Sequence, residues 1–317
     1  MPAFVAASPG KAILFGEHAV VYGRPAIAVP VSQVQARVNI MADPLGPSGR
    51  VTIDAPDIGL HTELALLSDD NPLRLLIRLL VEKLGIIRLP ALKMNIHSTI
   101  PVAAGLGSGA AVSVAALRAL SAFVGHPLND EQVCDLAYQV EKAYHGTPSG
   151  IDNTVITYAR PIYFIKGQPF ELLHVSQPLT LVIGDSGVAS PTAAAVGGVR
   201  ARWQADSASY EGLFDRVAEI SLEARAILSS GSPEHLGPLM DENHAALQDM
   251  GVSSPELDTL VQTARSAGAW GAKLSGGGQG GNMIALVSPQ ISGQVAQALA
   301  QAGAKRIIIT MVASTVA

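Results

Sequence analysis

The sequence predicts a mixed α and β fold in two domains, and three observations carry that prediction. Residues 3–42 read as strands broken by turns. Beyond Asp185-Ser186-Gly187 the pattern becomes mainly helical, then alternates again near the C-terminus. A length of 317 residues is enough for about two domains.

The elements follow in order. Ala12-Ile13-Leu14-Phe15 is apolar and ends in Gly16-Glu17-His18, and Gly23-Arg24-Pro25 signals a turn. Ala26 to Val31 is again apolar, and Val34, Ala36, Val38 and Ile40 alternate inward. A Pro/Gly-rich turn at 44–49 leads into Arg50 to Asp54, so the expected arrangement is a β-meander. Asp70-Asn71-Pro72 starts a helix with Leu73, Leu76, Ile77 and Leu80 on one face. Leu92 to His97 alternates as a strand, and Ala110 to Val124 is an alanine-rich helix. Asn129 caps the next helix, with Gln132 completing a capping box. A turn-rich loop, His145 to Asn153, precedes a strand-like Thr154 to Tyr158. Strands are expected at Pro161 to Ile165 and Leu179 to Ile183. Helices are expected at 192–205, 210–229, 234–250 and 255–267. The end of the chain reads strand (271–274), glycine loop, strand (283–287), helix (291–302), strand (306–312).

Composition excludes several function classes. The chain is 48% apolar and 15% charged, but its most apolar helix-like run, Pro72 to Leu84, is broken by Arg74, Arg78, Glu82 and Lys83. A membrane span needs about 18 to 20 uninterrupted apolar residues. The N-terminal apolar stretch is cut by Lys11 and Glu17, so it does not read as a secretory signal. Cys134 is the only cysteine, which excludes internal disulfides and fits a reducing, cytoplasmic setting. A formal charge of −5 argues against a nucleic-acid surface.

Four polar clusters could carry chemistry. The first is Ser8-Pro9-Gly10-Lys11 with Gly16-Glu17-His18, where Lys11 is a charge partner for an anion or an ordinary strand-end lysine. The second is Pro101-Val-Ala-Ala-Gly105-Leu-Gly107-Ser108-Gly109, between a strand and a helix. Free backbone N–H groups and a helix N-terminus attract phosphate there. Taken alone, the same stretch fits a tight turn into a buried helix equally well. The third cluster is Glu141 and Asp152, two carboxylates eleven residues apart that could divide metal binding and base catalysis. Spacing alone slightly favours a solvated helix residue and a turn cap. The fourth is Lys273 to Gly281, whose glycines imply positive φ or close approach to a ligand or to the second cluster. His235 and His244 fall on helices with no ligand at metal-binding spacing.

Together the clusters resemble, in family order, the motifs of the mevalonate kinases of the GHMP kinase superfamily. Ser8-Pro-Gly-Lys11…Phe15-Gly-Glu-His-Ala-Val-Val-Tyr-Gly23 resembles the first motif. Ile100-Pro101…Gly105-Leu-Gly-Ser108 resembles the phosphate loop, His145-Gly-Thr-Pro-Ser-Gly-Ile-Asp-Asn153 the motif with the catalytic aspartate, and Lys273 to Gly281 the third motif. The stretch from Met240 through Asn243-His244 to Leu257-Asp258 is also similar to one common in these kinases.

The resemblance implies an ATP-dependent kinase acting on the 5-hydroxyl of mevalonate, with ATP and Mg²⁺. Lys11, Ser98, Ala103, Ala104, Gly105, Leu106, Gly107, Ser108 and Gly109 would bind the nucleotide. Glu141 and Ser108 would hold the metal, Asp152 would act as general base, and Lys11 would stabilise the transferring phosphoryl. Glu17, His18, Ser190, Thr192 and Gly277 would bind substrate. The implied fold is two-lobed α+β: a mixed sheet with helices over 1–185, and a ferredoxin-like lobe over 186–317 that closes the substrate cleft. A small-molecule substrate is the expected partner, with homodimers frequent in the family, and neither nucleic acid nor membrane is expected. Four positions depart from the family wording: Gly109 stands where a second serine is usual, Gln279 where a glycine is, Asn282 where a cysteine is, and Ala193 where a lysine often follows Thr192.

Overall fold

The computed structural model describes residues 3–101, 104–145, 148–190 and 192–315. In chain order the elements are β1 (Ala3–Phe15), β2 (Ala26–Ala42), β3 (Val51–Ala55), β4 (Leu60–Glu63), α1 (Pro72–Leu84), β5 (Leu92–Ser98), α2 (Ser108–Phe123), α3 (Asp130–His145) and α4 (Ile151–Tyr158). They continue with β6 (Ile162–Phe164), β7 (Glu171–Leu172), β8 (Leu179–Asp185), α5 (Thr192–Ala205), α6 (Ser207–Ser230), α7 (Leu236–Asp249) and α8 (Pro255–Ser266). The last are β9 (Gly271–Ser275), β10 (Asn282–Val287), α9 (Ser292–Gln301) and β11 (Arg306–Val312). Among the described residues no helix is long and apolar enough to cross a membrane.

These elements pack into two compact units. The first comprises Met1–Gly10, Val34–Pro101 and Gly107–Ala159, and the second Lys11–Gln33, Val102–Leu106 and Arg160–Ala317. This division follows packing, whereas the sequence-based cut at residue 185 follows chain order.

In the first unit, β2 pairs antiparallel with β5 (Ala36 to Ala42 against Ser98 to Leu92), β5 pairs parallel with β3, and β3 pairs antiparallel with β4. The expected β-meander is therefore corrected: β5 is inserted between β2 and β3. Two parallel strands need a crossover connection, and α1 lies in the one between β3 and β5. That helix begins where Asn71 Oδ1 accepts the Leu73 N–H and buries Leu76, Ile77 and Leu80. Helix α2 is buried on most sides, with Ala110, Ala111, Val114, Leu117 and Leu120 in the core. The capping box of α3 forms in both directions: Asn129 Oδ1 accepts the Gln132 N–H at 2.9 Å, and Gln132 Oε1 accepts the Asn129 N–H at 3.1 Å.

The strand expected over Thr154 to Tyr158 is instead helix α4. Its β-branched run has strand propensity, yet Ile151, Val155 and Ile156 are buried where α4 packs on α2 and α3. Tertiary burial overrides local propensity here.

In the second unit, the start of β2 pairs with β6 (Ala26 to Ala28 against Phe164 to Ile162), and β6 pairs with β7. A separate antiparallel sheet runs in the order β11-β8-β10-β9. With α8 between β8 and β9, and α9 between β10 and β11, this is the ferredoxin-like β-α-β-β-α-β order. Helices α5 to α7 are an addition between β8 and α8. The core joins both layers through Val182, Phe214, Val217, Leu247, Leu274, Met283 and Leu299.

Candidate functional site

In the second unit, the turn after β1 carries two buried polar side chains in succession. The Glu17 carboxylate is ion-paired with the Lys273 ammonium from β9, and both are almost fully buried. Lys273 Nζ also donates to the Leu274 carbonyl at 2.7 Å. Burial pushes the Glu17 carboxyl up and the Lys273 ammonium down from their ordinary pKa values, and each partner opposes the other's shift.

His18 adopts φ +60°, and its Nε2 lies 2.9 Å from the Gly277 carbonyl. Burial pulls the imidazole down to about 4, so it is neutral near pH 7. A carbonyl only accepts, so Nε2 carries the proton and Nδ1 is left as an acceptor. Among the described residues, His18 Nδ1 and Glu17 Oε2 are buried without a hydrogen-bond partner. Two orphan acceptors on adjacent residues match the donors of a hydroxyl-bearing ligand.

The third-motif loop closes around this point. Ser190 Oγ donates to the Gly278 carbonyl at 2.6 Å. A Cβ on Gly277 would stand 3.3 Å from Ser190 Oγ and 3.4 Å from Thr192 Cα. Glycine is required at 278, where φ is +73° and a Cβ would sit 2.0 Å from the Val252 carbonyl oxygen. The five residues expected to bind substrate, Glu17, His18, Ser190, Thr192 and Gly277, are thus tied together within one unit.

The same loop meets the phosphate-loop stretch. The carbonyl of Ala104 accepts from Asn282 Nδ2, and a Cβ on Gly276 would lie 3.8 Å from the Gly105 carbonyl oxygen. The Lys11 N–H donates to the Leu106 carbonyl at 3.0 Å. Lys11 itself is buried. Ala103 lies outside the described residues.

In the first unit, Gly107 is the N-cap of α2, at φ +75°, with no side-chain cap on the helix N-terminus. Ser108 is half-buried, and a Cβ at Gly109 would meet nothing within 4 Å. The helix start is therefore open on this side, as anion binding requires. Asp152 is half-buried in the first turn of α4, and its neighbour Asn153 donates from Nδ2 to the Cys134 carbonyl at 3.2 Å. Glu141 is half-buried on α3, which packs against α4. Ser98 caps a strand end, its Oγ accepting the Ile100 N–H at 3.2 Å.

Three contributors were not assigned a role by sequence reasoning. Lys273 was visible only as the start of a glycine run, and Asn282 only as a departure from family wording. His244 showed no partner by spacing, yet its Nδ1 accepts the Leu274 N–H at 3.3 Å and its Nε2 lies 3.2 Å from Asp258 Oδ1. Such partners lie far apart in sequence (256 residues for Lys273 and Glu17), so spacing gives no signal for them.

Comparison with known proteins identifies the family. The GHMP kinases N-terminal domain model matches residues 71–160, and the GHMP kinases C-terminal model matches residues 224–305. A relative from Pyrococcus horikoshii named mevalonate kinase is 36% identical, over 94% of this chain and 92% of its own length. This chain belongs to the GHMP kinase family. Another member, from Saccharolobus solfataricus and also named mevalonate kinase, is 33% identical over 88% of each chain. Among solved GHMP kinase structures, L. major mevalonate kinase in complex with R-mevalonate has a TM-score of 0.84 at 33% identity, covering 100% of this chain and 97% of that one. The Methanococcus jannaschii mevalonate kinase has a TM-score of 0.85 at 26% identity, covering 99% of each chain.

Proposed function

We propose that this kinase transfers the γ-phosphoryl group of ATP to the 5-hydroxyl of mevalonate, giving 5-phosphomevalonate and ADP. The observation that carries the reading is the buried Glu17–His18 pair. Its two unpartnered acceptors suit the hydroxyl groups of an alcohol substrate. Ser190, Thr192 and Gly277 complete the substrate side. Relatives named mevalonate kinase, one of them a structure with R-mevalonate, support that substrate.

Phosphoryl transfer needs positioning and charge stabilisation more than covalent chemistry. We assign Ala103 to Gly109 to the ATP phosphates, with Ser98 near the nucleotide. Asp152 accepts the proton of the attacking hydroxyl, and Lys11 stabilises negative charge on the phosphoryl group. Mg²⁺ takes oxygen donors, one or two of them protein carboxylates, and keeps waters for the rest. Half-buried Glu141, with the Ser108 hydroxyl, is such a donor set, although no group of three or more His, Cys, Asp or Glu residues gathers among the described residues. When bound, the ion neutralises phosphate charge. The single cysteine supports a cytoplasmic enzyme.

The test is ADP formation with Mg-ATP across mevalonate, phosphomevalonate, homoserine and galactose. Mevalonate is expected to turn over, and Asp152→Asn is expected to lower kcat by about 10² to 10⁴ with the fold intact. Turnover of another alcohol in place of mevalonate overturns the substrate assignment.

A further inference from the structure

Strand β9 lies at the end of its sheet, paired on one side by β10. A sheet edge leaves backbone N–H groups that need other acceptors. Here α7 supplies them from side chains one helical turn apart. Asp241 Oδ1 accepts the Ala272 N–H at 2.9 Å, and His244 Nδ1 accepts the Leu274 N–H at 3.3 Å. Both acceptors are themselves held by α8. Arg265 Nε lies 2.7 Å from Asp241 Oδ1, and Asp258 Oδ1 lies 3.2 Å from His244 Nε2. Ser253 Oγ donates to the same Asp258 oxygen at 2.5 Å.

The residues between and beside these two anchor points are held in turn. Lys273 sits between Ala272 and Leu274, and its ammonium grips Glu17 and the Leu274 carbonyl. Ser275, one residue on, receives the Ile13 N–H at Oγ (3.1 Å) and donates to the Ile13 carbonyl (3.0 Å). The backbone of Leu274 is therefore held at its N–H by His244 and at its carbonyl by Lys273.

We propose that His244 is a positioning residue for substrate binding: by accepting the Leu274 N–H it fixes the stretch of β9 from which Lys273 holds Glu17. The inference rests on the reading of Glu17 as a substrate residue. The link requires a particular tautomer. Nδ1 must be unprotonated to accept, so the proton is on Nε2 and points to Asp258. The charged groups facing this imidazole are Asp258 and Arg265 from α8 and Lys273 from β9. Burial keeps His244 neutral near pH 7, with its pKa pulled down to about 4. Asp258 thus works through His244 by selecting the tautomer, as second partners of functional imidazoles do.

Asparagine places an acceptor near the Nδ1 position, and glutamine places its amide near Nε2. Their comparison separates the Leu274 link from the bulk of the ring. With mevalonate as variable substrate, His244→Gln is expected to raise KM for mevalonate roughly tenfold, the effect of losing about one buried hydrogen bond, while KM for ATP stays at the wild-type value. His244→Asn is expected to remain within about twofold of wild type in both. Equal mevalonate KM values for the two variants, or parallel rises for mevalonate and ATP, would overturn the proposal. Asp258→Ala, at a half-exposed position, gives a second measurement if the buried substitutions do not fold, with a severalfold rise in mevalonate KM alone expected. Hydrogen exchange of the Leu274 amide needs no substrate, so it tests the link even if mevalonate proves not to be the substrate. Faster exchange in His244→Gln than in His244→Asn supports the link, and equal rates refute it.

Discussion

Gln279 is one of three non-glycine residues at positive φ among the described residues, with His18 and Ala159. It has φ +57° in a loop rich in glycine, and its side chain is exposed. The left-handed region costs an L-residue roughly 1 kcal/mol, which glycine does not incur. Its backbone N–H bond to the Val252 carbonyl, at 2.7 Å, is independent of the side chain. Gln279→Gly is therefore expected to stabilise the folded chain by about 0.5 to 1 kcal/mol, read as a higher midpoint in urea, with kcat unchanged. A lower midpoint would mean that the amide side chain contributes more than the strain removes. The same loop shows what residue-level reading can reach. Its glycines were expected to take positive φ or to approach the phosphate-loop stretch, and they do both. Lys273 eluded assignment because a lysine that ends fully buried looks in sequence like any other. Only the folded chain puts a carboxylate against it, and without one the charge would be too costly to bury.

Helix α3 carries Glu141 and supports α4, so its stability bears directly on the proposed base. Its N-terminus is held by the reciprocal bonds between Asn129 and Gln132. Removing the cap with Asn129→Ala is expected to lower stability by about 1 kcal/mol, measurable by thermal or denaturant unfolding, with only a small change in activity. Elements with terminal signals of this kind were legible. The start of α1 followed from Asn71-Pro72, and α5 and α8 followed from helical runs of the right length. Helix α4 was not legible because its N-cap is Gly150 at φ +94°, without a capping side chain, and its body is Thr154-Val155-Ile156-Thr157-Tyr158. The sequence divides strand β2 into two pieces because Ser32-Gln33 interrupt its apolar pattern. Those residues lie between the segments paired with β6 and with β5. The order of strands in the first unit is not legible for a different reason. Alternation shows which residues face the core, but it is silent on which strand lies next to which.

At the scale of the whole molecule, two buried neutral histidines make stability depend on pH. His18 and His244 titrate near 6.5 when the chain is unfolded and near 4 when it is folded. As pH falls from 6.5 towards 4 the unfolded state binds these protons first, so stability is lost on acidification through that window. Each histidine contributes about 1.4 kcal/mol of loss between about pH 7.5 and about pH 5.5. Glu17 acts in the opposite direction. Its raised pKa lets the folded state hold a proton that the unfolded state releases, which offsets part of the loss at the acid end. The wild-type slope therefore mixes opposing contributions, but a difference between two chains isolates one of them. His244→Asn removes a single titrating group and keeps an acceptor for Leu274. Its unfolding free energy is expected to fall by about 1.4 kcal/mol less than the wild-type value over the same pH interval. Urea denaturation of both proteins at the two pH values measures this directly. Parallel losses would show that His244 is already protonated in the folded chain, and a protonated Nδ1 could not accept the Leu274 N–H.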